Sequence, residues 1–133
     1  MKFNKKVIGM IATVTTTMTL FSGIVLAGSS SKSATGYGTL YGSTSSSSRV
    51  LSASTRISKN PDNAYVTLEL DAQTSSGSTA LDYYYGNSDR GETSYYLTSA
   101  RLESHVYKIF GSHGVQGGSR YSSAVVYTVN TIS

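Results

Sequence analysis

Between residues 64 and 73 the chain alternates apolar and polar positions without a break. Ala64, Val66, Leu68, Leu70 and Ala72 fall on one side, and Tyr65, Thr67, Glu69, Asp71 and Gln73 on the other. Successive side chains of an extended strand point to opposite faces, so this pattern predicts a strand with one dry and one wet face. Residues 49–59 alternate in the same way, with Leu51, Ala53, Thr55 and Ile57 opposite Val50, Ser52, Ser54, Arg56 and Ser58. Between the two runs stands Asn60-Pro61-Asp62-Asn63, a turn signal in which proline presets one dihedral and Asn and Asp bond their own backbone. The two runs therefore read as a hairpin, with Glu69 and Asp71 solvated on its wet face.

A second hairpin is expected from residues 78–85 and 93–103, which flank the polar turn 86–91. Residues 37–42 alternate weakly and predict a short first strand, followed by a serine and threonine loop at 43–48. In 102–110, Leu102, Val106 and Phe110 recur every four positions, as on one helical face capped by Gly111. Val106, Tyr107, Ile109 and Phe110 favour strands, so residues 104–110 read as a strand instead. Gln116-Gly117-Gly118-Ser119 marks a turn, and 120–131 closes the chain with Val, Tyr and Thr. Six to seven strands with short turns and no secure helix predict an all-β fold, an antiparallel β-sandwich rather than a small barrel.

The first 27 residues are of another kind. Lys2, Lys5 and Lys6 precede an uncharged apolar run at 7–26, and Val25-Leu26-Ala27 supplies the small residues of a cleavage site. This predicts a secretory signal over 1–27, cleaved after Ala27. The alternative is a membrane anchor, weakened by the threonines and glycines of the run. Membrane contact is then confined to the signal before its removal. Residues 28–36 are serine-rich without apolar period and read as a disordered lead-in, and 37–133 as a single domain.

Removing the signal changes the charge. Of eleven basic residues three lie in it, so residues 28–133 hold eight basic and seven acidic side chains, a net of +1. A nucleic-acid partner is not implied. There is no cysteine, hence no disulfide framework. The chain holds 11 tyrosines, and 24 serines lie within 28–133, a composition suited to exposed β-sheet faces.

Candidate chemistry is sparse. His105 and His113 lie eight residues apart, about 26 Å along one strand, so a shared metal would need the chain to fold back at Gly111. His113 reads as a loop residue among the glycines of 111–118, a stretch whose backbone needs unusual dihedrals or close approach. No Gly-x-Ser-x-Gly elbow selects a nucleophile. Asp82, Asp89, Glu92 and Asn87 match no calcium-loop spacing. Tyr83, Tyr84, Tyr85, Tyr95 and Tyr96 bracket one turn and are expected at one hairpin end, where some rings face solvent. A tyrosine offers a flat apolar face and a polar hydroxyl, suited to a sugar ring or a protein surface; cross-strand aromatic pairing is the alternative.

In size, predicted signal and Gly/Tyr/Ser-rich β style the chain resembles small secreted bacteriocins of Gram-positive bacteria. The resemblance implies an antibacterial activity as an alternative function. A small secreted hydrolase or metal-binding protein is a second alternative. The leading expectation is a secreted, extracellular, non-enzymatic bacterial protein without cofactor or metal. It would act by surface contact with an extracellular protein or cell-wall glycan, through Tyr83, Tyr84, Tyr85, Tyr95 and Tyr96, with His113 second.

Overall fold

The computed structural model describes residues 28–75 and 78–132; the expected signal at 1–27 lies outside the described residues. Eight strands follow one another: β1 (Ser29–Ala34), β2 (Gly38–Ser47), β3 (Val50–Ile57), β4 (Tyr65–Gln73), β5 (Leu81–Asn87), β6 (Ser94–Arg101), β7 (Lys108–Gln116) and β8 (Ala124–Thr131). They form two antiparallel four-stranded sheets, sheet A in the order β1-β2-β3-β6 and sheet B in the order β5-β4-β7-β8.

The all-β class and antiparallel pairing agree with the periodicity. Several boundaries do not. The serine-rich stretch 28–36 is not a disordered lead-in but carries β1, paired with β2 from Ser29↔Ser43 to Ala34↔Gly38. A strand at a sheet edge can be held by main-chain bonds and needs no apolar alternation of its own. The loop expected at 43–48 is the second half of β2. It ends in a two-residue connection, Ser48-Arg49, with both φ positive (49° and 62°), the backbone twist that suits a tight hairpin. Ser104 and His105 form a turn closed by Val106 N–H donating to Glu103 O (3.1 Å), and the strand expected at 104–110 begins only at Lys108.

Both expected hairpins are crossings between sheets. β3 pairs with β2 and β6, whereas β4 pairs with β5 and β7. β5 and β6 likewise lie in different sheets. Alternation tells which face of a strand is dry, not which neighbour its edge bonds. The Asn60–Asn63 turn works as a bracket at the first crossing. Asn60 bonds both the N–H and the C=O of Ala64 at 3.0 Å and donates to Glu92 O at 2.6 Å. Asp62 is buried, at 5% exposure. It accepts from Tyr37 Oη (3.1 Å), Ser119 Oγ (3.1 Å), Arg120 N (3.0 Å) and Tyr121 N (2.9 Å). Burial alone would raise its pKa, but the backbone N–H groups of Tyr121 and Arg120 and the hydroxyls of Tyr37 and Ser119 outweigh it and hold the carboxyl at about 2.

The interior between the sheets has two apolar clusters. One gathers Leu51, Ala53, Leu68, Leu70, Ile109 and their neighbours; the other gathers Tyr37, Leu40, Ile57, Val66, Val115 and Val126. Between them runs a polar bar made by His113 of β7, Thr44 of β2, Thr55 of β3 and Thr128 of β8. His113 is therefore a core residue inside a strand, not a loop residue. Two glycines make room for it: a Cβ at Gly42 would stand 2.3 Å from its Cγ, and one at Gly111 would stand 2.6 Å from its Nε2. Of the glycines of 111–118, Gly111, Gly114 and Gly118 mark close approach, whereas Gly117, with φ 81°, belongs to the expected turn after β7.

Candidate binding face

The five tyrosines expected at one hairpin end are dispersed by the crossing between β5 and β6. Tyr84 points between the sheets, buried at 7%, and its hydroxyl bonds that of Tyr95 from the opposite sheet. Tyr84 is pushed above the usual phenol range by burial and by that bond. Tyr95 packs against both apolar clusters. Tyr83 sits at a β-bulge and lies half-buried against the first cluster. Tyr85 stands on the outward side of sheet B opposite Glu69, half-buried. Of the five only Tyr96, 59% exposed, is open to solvent, and it belongs to the outward side of sheet A.

The histidines do not converge. His105 is exposed, its Nε2 3.2 Å from Glu103 Oε2. His113 is fully buried; Nε2 lies 2.8 Å from Thr128 Oγ1 and 3.4 Å from Thr44 Oγ1, and Nδ1 lies 3.1 Å from Thr55 Oγ1. Burial lowers its pKa to about 4, so the ring is neutral at pH 7 and exchanges one donor and one acceptor with hydroxyls of both sheets. This arrangement pins the sheets together.

The outward side of sheet A is lined mainly by short polar side chains. The burial alternation in β2 and β3 turns Leu40, Gly42, Thr44, Leu51, Ala53, Thr55 and Ile57 inward. Outward point Tyr41, Ser43, Ser45 and Ser47 of β2 and Ser52, Ser54 and Arg56 of β3. Registry adds Ser29, Ser31 and Ser33 of β1 and Ser94 and Tyr96 of β6. Tyr41 is directly opposite Arg56, whose guanidinium lies 4.8 Å from the ring centroid. Tyr96 is opposite Ser54, two residues from Arg56. Two strand spacings and two residues along the strand separate Tyr41 from Tyr96, about 12 Å. The charges in the strands of sheet A are Lys32, Arg56 and Arg101, without one carboxylate.

Neither Tyr41 nor Arg56 belongs to a run of adjacent tyrosines, so neither stands out in the sequence. A lone Tyr in β2 and a lone Arg in β3 become neighbours only once strand pairing is known. The available signal was the recurrence of serine at alternate positions, Ser43, Ser45 and Ser47 in β2 and Ser52 and Ser54 in β3. Searches of family models, of curated proteins and of solved structures gave no match to this chain.

Proposed function

We propose that the protein is exported and acts by surface contact, adhering to an anionic glycan of the cell envelope through the outward side of sheet A. The observation that carries the reading is the Tyr41–Arg56–Tyr96 group on a serine-lined, acid-free sheet face. Exposed tyrosine rings offer apolar faces to sugar rings, and their hydroxyls keep a polar edge. Arg56 presents a planar fork of donors that matches carboxylate or phosphate oxygens, and its stacking on Tyr41 pre-orders it. Serine hydroxyls donate and accept, so they bond sugar hydroxyls in either sense. The absence of carboxylates from the strands of sheet A removes repulsion toward an anionic polymer. Export rests on the basic start and apolar run of residues 1–27.

The test is binding of the purified protein to an isolated, phosphate- or carboxylate-bearing cell-wall polysaccharide. Tyr41→Ala with Tyr96→Ala should weaken binding at least tenfold, and Arg56→Gln should reduce its salt dependence. Equal binding by the double variant and by wild type would sink the proposal.

A further inference from the structure

We propose that Glu69, Asp71 and Asp82 form a calcium site on the outward side of sheet B. The site is independent of the glycan reading and lies on the opposite face of the sandwich. Glu69 and Asp71 are two apart on β4 and so share a face. Asp82 reaches them through a bulge. The register runs Leu70↔Tyr84 and then Asp71↔Asp82, leaving Tyr83 as the extra residue. Strict alternation would send Asp82 inward with Tyr84. The bulge turns it outward beside Asp71, a re-aiming for which bulges are used next to functional sites. One carboxylate oxygen from each of the three residues lies within 4.8 Å of the others. That span is about twice a calcium–oxygen bond of roughly 2.4 Å, so all three can touch one ion.

A separate observation points to a ligand. Glu69 and Asp71 are 4% and 3% exposed, and neither Glu69 Oε2 nor Asp71 Oδ1 accepts a hydrogen bond. A buried carboxylate without a donor or a cation is strongly disfavoured. A cation at the point where the three converge relieves this. The donors are all oxygen, which selects a hard ion over zinc, and their irregular origin on two strands suits calcium better than octahedral magnesium. Asp82 is exposed on the edge strand β5 and gives the ion its path and room for water ligands.

The experiment follows thermal unfolding of the purified chain with added calcium, using magnesium at equal ionic strength as control. Terbium luminescence sensitised by Tyr85, which stands opposite Glu69, supplies a second readout. A saturable rise of roughly 5 °C by about 10 mM calcium is expected. Terbium emission should be displaced by calcium, and both signals should vanish in Asp82→Asn, which alters only an exposed side chain. Glu69→Gln, which keeps the side-chain volume, should lose them too. No calcium-specific shift in wild type, or the same shift in Asp82→Asn, would overturn the site.

Discussion

The two outward sheet faces differ in charge and in wetness, although the same alternation produces both. On the outward side of sheet A the strand charges are Arg56 and Arg101, Lys32 being paired with the inward-facing Leu40, and the neighbours of Arg56 are Tyr41, Ser54 and Ser94. On sheet B the strands carry Glu69, Asp71 and Asp82 with Lys108, and Thr67, Glu69, Asp71 and Ser112 are buried. Alternation fixes where a side chain points, and its neighbours fix whether water reaches it. Serines are too short to cover one another, whereas Glu69 stands beside Tyr85 and Asp71 beside Phe110. The proposed glycan contact uses the open polar face, and the proposed ion site uses the covered one.

The comparison needs both faces to belong to one cooperative body, and His113 is the side chain that holds them together. His113→Ala should cost about 4 kcal/mol in urea unfolding, because it opens a core cavity and removes the imidazole that bonds Thr55 on one side and the mutually bonded Thr44 and Thr128 hydroxyls on the other. The loss should be seen equally by probes on sheets A and B. Acid tests the same pin. The folded pKa of His113 is about 4 against 6.5 when unfolded, so the unfolded chain binds the extra proton first. Stability from this group is full above pH 6.5 and falls by on the order of 3 kcal/mol as pH drops to 4. Glu69, raised to about 9, and Asp71, raised to about 6, pull the other way within this window. The histidine effect is therefore read as the difference between the profiles of wild type and His113→Gln. Asp62, held at about 2, loses its contribution only below pH 3.8.

A charge exchange separates the faces themselves. Asp71→Asn should stabilise the calcium-free protein at pH 7 by about 1 kcal/mol, because it removes a buried anion. Ser54→Glu on sheet A should change stability by less than about 0.5 kcal/mol while weakening glycan binding. The smallest effect on stability is expected from Tyr96→Ala, again below about 0.5 kcal/mol, since its ring is 59% exposed. Thermal unfolding and binding measured side by side check both pairs.

The all-β class was legible because β3 and β4 alternate so regularly, and the residues of the dry faces named from the sequence are buried between the sheets. Pairing was not legible. The Asn60–Asn63 turn has hairpin chemistry, yet its Asp62 is drawn to the loop between β7 and β8, and the chain crosses to the other sheet. β1 was hidden because an edge strand of serines leaves no apolar signature. The candidate face shared the same fate. Tyr96 was singled out as one of five, but Tyr41 and Arg56 depend on registry between strands 15 residues apart in sequence. The solvated reading of Glu69 and Asp71 failed because burial on an outward face depends on neighbouring strands.

The account stands or falls on which tyrosines meet the partner. Nuclear magnetic resonance of tyrosine ring signals during titration with an anionic cell-wall glycan addresses this directly. Tyr41 and Tyr96 on sheet A should shift in a saturable manner while Tyr85 and Tyr127 on sheet B stay still. Saturable shifts of Tyr85 and Tyr127 with Tyr41 and Tyr96 unmoved would contradict it.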